Sequence, residues 1–172
     1  MERRKFLVTA STVAAIATAG CLGNPNPETE GNDDSPIESN PEDLIPPREL
    51  FGEGWEEDNG RIEESEARGS YSNPDEQIMA AYQLIIYDSV EEAESAYQDQ
   101  REQDFAAAEQ DAGWSAEELE IASESHIAET SIPIVWFRDA NVVAELSHRR
   151  FSGGGSSSKS IEYAAAWHET WR

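Results

Sequence analysis

Residues 77 to 88 read QIMAAYQLIIYD, with Ile78, Ala80, Tyr82, Leu84 and Ile86 on one alternating set and Met79, Ala81, Ile85 and Tyr87 on the other. Successive strand side chains point to opposite faces, so the pattern predicts a central strand covered on both sides. ARGSYS, 67 to 72, predicts a shorter strand before it, and LFGEGW, 50 to 55, a turn ending on an apolar residue. Ser89 stands three residues before Glu92, the spacing of a capping box, which predicts a helix start. At about 100° per residue Val90, Ala93, Tyr97, Phe105, Ala108 and Ala112 share one stripe, with Arg101 inside it.

SIPIVWFRDANVVAELSHRR, 131 to 150, alternates on both sides of Asp139-Ala140-Asn141 and predicts a hairpin. After the loop GGGSSS, the segment SIEYAAAWHETWR predicts a short terminal helix with Ile161, Ala164, Ala165, His168 and Trp171 on one face. The element order β-β-α-(β)-β-β-α implies an α+β domain over residues 48 to 172. Its antiparallel sheet packs against a long central helix and a short C-terminal helix.

Ahead of this domain the pattern changes. Arg3 and Arg4 followed by Phe6 and Leu7 resemble the R-R-x-F-L core of a twin-arginine export signal, with Glu2 where Ser or Thr is commoner. The alanine- and threonine-rich run behind them has signal-peptide length and is too short and polar to span a membrane. Thr18-Ala19-Gly20-Cys21 resembles a lipobox, departing from it at Thr18, where Leu or Val is usual. Residues 1 to 20 therefore read as a signal peptide, and Cys21, the chain's one cysteine, as the lipid attachment point. Two acyl chains, at ~0.8 kcal/mol per buried CH₂, hold a soluble domain to a membrane without a spanning helix. With no second cysteine there is no disulfide, and the core must supply the stability.

From residue 21 to 47 the chain reads as a disordered acidic tether interrupted by six prolines. In polyproline geometry it extends by up to ~3.1 Å per residue. A calcium loop built from Asp33, Asp34, Glu38, Glu42 and Asp43 lacks the oxygen periodicity and turn glycine such loops need.

Composition adds a setting. Thirty-six acids face twelve bases, a net charge of -24, and lysine occurs only at positions 5 and 159 against ten arginines. Cleavage after Gly20 removes a net +2 and leaves -26. Acidity with scarce lysine resembles the proteins of extreme halophiles, since molar salt shortens the screening length to about 3 Å and relieves the self-repulsion. Residues 3 to 21 and this composition together make the chain similar to a haloarchaeal twin-arginine-exported lipoprotein of uncharacterised type. The resemblance implies an export receptor before processing and attachment to the external face of the cell membrane through lipid on Cys21. Nucleic acid is excluded as a partner by the lack of a basic patch to displace counterions.

The domain carries no catalytic signature. GGGSSSKS, 153 to 160, approaches a P-loop, but Ser158 stands where the second glycine is required, so it reads as a flexible loop. His126, His148 and His168 share no metal-ligand spacing, and neither metal nor cofactor is implied. Trp136 and Trp171 read as core. Trp167 falls off the stripe of the terminal helix, which makes it, with Arg101, the candidate ligand contact. The resulting expectation is a non-catalytic binding or envelope-interaction domain whose protein or small-molecule partner stays open. The alternatives are an extracytoplasmic hydrolase using carboxylates and His148 or His168, and a purely structural envelope component. An apolar pocket without convergent histidine and acid marks the first, and a histidine bonded to an acid within a cleft marks the hydrolase.

Overall fold

Two antiparallel meanders meet at the middle of one sheet in the computed structural model, which describes residues 35 to 171. The first comprises β1 (Glu56–Ile62), β2 (Glu66–Asn73) and β3 (Ile78–Ile86). The second comprises β4 (Ser115–Glu118), β5 (Glu124–Glu129), β6 (Ile134–Asp139) and β7 (Val142–Arg150). The strand order is β1-β2-β3-β7-β6-β5-β4. β3 and β7 pair from Ile78 opposite Arg150 to Ile86 opposite Val142. α1 (Val90–Gln110) carries the chain to the far edge, and α2 (Ser157–His168) follows β7. This is the α+β fold expected from the pattern, with the antiparallel sheet, the long helix and the short C-terminal helix in place.

The two sheet faces are covered unequally. One bears Ala80, Tyr82 and Leu84 of β3 and Val142, Ala144, Leu146 and His148 of β7, all buried beneath α2 and the residues before β1. On the other face α1 packs Ala93 and Tyr97 against Val143, with Tyr87 and Trp136 alongside. α1 lies over β4 to β7, so β3 is not covered on both sides as its sequence suggested. Met79, Ala81, Gln83 and Ile85 remain half-buried.

Local chemistry accounts for the helix and turn boundaries. The Ser89 hydroxyl accepts from the Glu92 amide at 3.2 Å and starts α1, while Asp111 ends it, so Ala112 lies beyond the helix. The β6–β7 reversal places Ala140 at φ 48°. Asn141 is buried there with its amide satisfied at both ends, donating to Tyr87 O at 2.9 Å and accepting from the Ile37 amide at 2.6 Å. β1 shows no alternation in sequence because all seven residues are exposed at the sheet edge, and its backbone pairing with β2 is joined by one side-chain bond, from the Ser72 hydroxyl to Asp58 at 2.7 Å.

The tether boundary moves. Its part from 21 to 34 lies outside the described residues, but residues 36 to 47 are built into the domain. Pro41–Leu44 forms a 3-10 turn with Leu44 buried. Such a turn leaves its last carbonyls unpaired. Leu44 O here accepts the indole N–H of Trp167 at 2.6 Å and that of Trp171 at 3.2 Å. Tyr71 donates its hydroxyl to Pro46 O at 3.0 Å.

Trp167 is correspondingly fully buried, not an exposed contact. The buried residues of α2 are Ser160, Tyr163, Ala164, Trp167 and His168, so Ala164 and His168 of the expected face are buried, while Ile161, Ala165 and Trp171 are only half-buried. Small Ser160 can sit against β7, where its hydroxyl accepts the His148 amide at 3.0 Å.

A chain beginning at Arg48 should therefore be less stable than one beginning at Ser35 by about 4 kcal/mol or more in chemical denaturation. Two buried donors, Trp167 and Tyr71, are orphaned at about 1–3 kcal/mol each, half-buried Trp171 loses its acceptor, and Leu44 and Pro46 no longer cover the core. Equal stability of the two chains would show residues 35 to 47 to be a mere spacer.

Candidate functional site

The LFGEGW stretch becomes one wall of a cleft. Gly52 and Gly54 take φ of 100° and 80°, values glycine adopts without strain, and bring Phe51 and Trp55 together with ring centroids 5.2 Å apart. Tyr163 of α2 meets Phe51 edge-on at 5.0 Å. At the end of β7, His148 lies between Trp55 and Tyr163, with centroids at 6.4 and 5.9 Å. These four rings line a cleft of about 500 Å³ that also takes in Glu53, Glu76, Ile78, Arg150, Gly155, Ser156 and Lys159.

The glycine-rich loop closes this cleft as a hydrogen-bonded reversal. Gly153 N donates to Arg150 O, Arg150 N donates to Gly154 O, and Ser156 N reaches His148 O. A Cβ on Gly155 would overlap Pro133 and the His148 carbonyl, so only glycine lets the loop pass there. Ser156 then caps α2 by accepting from the Lys159 amide. The Lys159 ammonium pairs with Glu162 at 2.8 Å and lies over the Tyr163 ring. It does not reach back over the loop as a P-loop lysine would.

His148 is the chemically distinctive member. It is 7 % exposed, and its Nδ1 is buried with no hydrogen-bond partner among the described residues. Burial lowers its pKa from the ordinary histidine value, and nearby Lys159 and Arg150 add to this, partly opposed by Glu76. The ring is therefore neutral at neutral pH and offers one nitrogen that nothing in the described chain satisfies. Arg150 is exposed and its guanidinium has no hydrogen bond or ion pair among the described residues. The cleft thus offers aromatic walls, a buried imidazole with an unsatisfied nitrogen and one uncommitted cation, with Glu53 and Glu76 entering from two turns.

The other sequence candidates lie elsewhere. Arg101 on α1 reaches Glu118 of β4 through Nε at 2.6 Å and stacks over Phe105 at 4.7 Å. The Glu118 hydrogen bond raises its pKa. Arg101 is thus committed within the chain and lines none of the cavities described here, and Trp167 lies in the core, so the two do not form a site. Arg3, Arg4, Phe6, Leu7, Thr18, Ala19, Gly20 and Cys21 lie outside the described residues.

His126 and His168 are each bound to an acid. His126 Nε2 meets Asp104 at 3.0 Å, its Nδ1 meets the Tyr97 hydroxyl at 3.0 Å, and the ring has no exposure. His168 Nε2 meets Asp139 at 2.7 Å, also buried. Neither histidine lines the cleft. Arg61, Arg68 and Arg149 do gather on the uncovered sheet face, around a groove of about 520 Å³. Arg61 is paired with Glu63 at 2.6 Å and Arg68 lies 3.9 Å from Glu66, while Arg149 donates to the Met79 sulfur at 3.0 Å.

Because the folded pKa of His148 is depressed, the unfolded chain binds more protons, and stability falls as pH drops below the ordinary value of 6.5. His148→Phe keeps a ring in place and removes the orphaned nitrogen. The variant should match or exceed the wild type by about 1 kcal/mol at about pH 8. Its advantage should widen toward about pH 5 in denaturant titrations, whereas a constant difference would place His148 in an unperturbed environment. No family model, curated protein or solved structure matches the chain, so its function is argued from residues and geometry.

Proposed function

We propose that the chain is a lipid-anchored, extracytoplasmic binding domain of a halophile, non-catalytic, with the cleft at Trp55, His148 and Arg150 as its ligand site. The observation that carries the binding role is the partnerless, buried Nδ1 of His148 in the lining of an aromatic cleft. Leaving a buried polar atom unmade costs about 1–3 kcal/mol, a cost a bound hydrogen-bonding ligand removes. Ring walls with a few polar groups are the usual composition of small-molecule sites. The ligand class that fits is a small molecule with a flat or apolar body and a polar, anionic end for Arg150. The hydrolase alternative needs an acid bonded to a histidine in a cleft. His148 has no such bond, and the two histidines that do are buried away from this cleft.

The anchoring half of the proposal is supported by Arg3, Arg4 and the Thr18–Cys21 motif. No helix among the described residues is long and apolar enough to cross a membrane. With residues 36 to 47 folded into the domain, the spacer after Cys21 shortens to residues 22 to 34.

Cys21→Ser, expressed in a halophilic host, should leave the membrane fraction and appear in the medium, and continued membrane retention would overturn lipid anchoring. For the cleft, a small-molecule library screened by thermal shift in molar salt should yield a compound that stabilises the wild type. A ligand at about a hundred times its Kd contributes about 2.7 kcal/mol. The exposed substitution Arg150→Glu should abolish that gain while leaving the unliganded melting point near the wild-type value. Equal stabilisation of both proteins would place the ligand elsewhere.

A further inference from the structure

On the opposite face of the sheet, between α1 and strands β3, β6 and β7, lies a second cavity of about 180 Å³. Its walls are mainly apolar and aromatic, with Tyr87, Trp136, Val143 and Ala96 among them. Glu145, half-buried on β7, is the one charged group in that lining. Gln83 and Trp136 stand opposite it in the register of the neighbouring strands. Two amides in the lining could have satisfied its carboxyl, and both are engaged elsewhere. Gln83 donates to Glu66 at 3.3 Å and Gln100 donates to Asp104 at 3.2 Å. Glu145 has no hydrogen bond or ion pair among the described residues, so the cavity holds an acceptor without a donor.

We propose that this cavity binds a small organic cation of the alkylammonium class, with the Glu145 carboxylate as counter-ion and the rings of Trp136 and Tyr87 enclosing the alkyl groups. An ammonium carrying methyl groups matches an apolar, aromatic enclosure with one negative charge. Hard metal cations match it poorly, because they require six or more oxygens. An anion would meet Glu145 and, beyond it, Asp104. The volume is below the roughly 300 Å³ at which drug-sized sites begin, which limits the guest to a few heavy atoms.

Binding must be linked to a proton. Burial, with a contribution from Asp104, pushes the Glu145 carboxyl up to about 7. Below that pH a cation has to displace the proton from the carboxyl. The ionisable groups on this face come from every adjoining element. Tyr97, Arg101 and Asp104 belong to α1, His126 and Glu124 to β5, and Arg138 to β6, with Tyr87 just after β3. Glu66 and Arg68 lie on β2, Arg68 being 3.9 Å from Glu66, and Arg149 lies further along β7 with its Nε on Met79. Arg138 is spent on Glu124 at 2.6 Å and on Ala140 O at 2.9 Å, so it does not neutralise Glu145.

The test is calorimetric titration of the full chain, in detergent and molar sodium chloride, with tetramethylammonium chloride and with neutral tert-butanol. Saturable binding of tetramethylammonium is expected. Its affinity should rise about tenfold per pH unit up to about pH 7 and level off above it, with proton release visible in buffers of different ionisation enthalpy. Glu145→Gln, which replaces a protonated acid by an amide of the same shape, should weaken binding at least tenfold. Trp136→Leu should weaken it with the pH profile retained. No saturable binding at about pH 8 would overturn the proposal. So would pH-independent binding, binding unchanged in Glu145→Gln, or equal affinity for tert-butanol. Should Glu145→Gln fail to fold, the carboxyl ¹³C shift of Glu145 in the wild type decides. Its titration midpoint should move to lower pH when tetramethylammonium is added, and an unmoved midpoint would sink the idea.

Discussion

One carbonyl oxygen holds the two ends of the domain together. Leu44 O accepts both Trp167 Nε1 and Trp171 Nε1, using both of its lone pairs on donors more than 120 residues away in the chain. An indole N–H buried without a partner is costly, so α2 can bury Trp167 completely only where such an oxygen is waiting. The 3-10 turn at Pro41–Leu44 exposes the end of its carbonyl row to supply one. The N-terminal segment and the C-terminal helix are thus mutually dependent, and neither would have reason to lie on the sheet without the other.

The cleft inherits its rigidity from this junction. Trp167 packs edge-on against Phe137 at 5.3 Å and against Tyr82 at 5.9 Å, and Tyr82 stacks on Tyr71 at 5.8 Å. Tyr71 in turn meets Phe51 at 5.0 Å, and Phe51 reaches Trp55 and Tyr163. An unbroken path of ring contacts, each worth about 0.5–1.5 kcal/mol beyond its burial, therefore leads from the Leu44 carbonyl to the cleft. Gly69 permits one step of it. A Cβ there would strike the Tyr82 hydroxyl at 2.6 Å and Asn59 O at 2.5 Å. With its walls held this way, the cleft would take up a ligand with little ordering cost on binding.

What could be read from the amino-acid pattern was whatever repeats at a strand or helix period. β3, the β6–β7 hairpin, the Ser89 cap and the fold class follow from alternation and spacing alone. β1 leaves no mark in the pattern, because EEDNGRI buries nothing and is held by backbone pairing and one bond from Ser72 to Asp58. Residues 36 to 47 read as tether because prolines and acids dominate, while the groups by which Trp167, Trp171 and Tyr71 hold them are the segment's own backbone oxygens, which leave no mark in a side-chain pattern. Ala164 and His168 of α2 are legible as its inner face, but Ser160 is not, because it counts as polar while its hydroxyl is spent on the His148 amide. Asp104 was missed in α1 for the same reason, since its burial depends on His126 and Gln100. The cleft assembles Phe51, Glu76, His148 and Lys159 from four separate segments, a convergence no local spacing encodes. His148 stands out in the sequence only as a hydrolase candidate and Lys159 only for a loop chemistry it does not perform, so neither marks the cleft.

Two unpartnered titratable groups on opposite faces of one strand also bear on the pH at which the domain is most stable. His148 and Glu145 are both on β7, three residues apart, and so point to opposite faces. Burial drives the first toward neutrality by lowering its pKa and the second by raising it. Stability tied to Glu145 is complete below its ordinary value of 4.5 and is lost as pH rises to about 7. Stability tied to His148 is complete above 6.5 and declines as pH falls below it. Between those ordinary values the two effects oppose each other, and above 6.5 Glu145 acts alone. A cation held by Glu145 would remove the loss on the alkaline side, leaving the strand stable in the range where its histidine is neutral and its cleft is ready to accept a ligand.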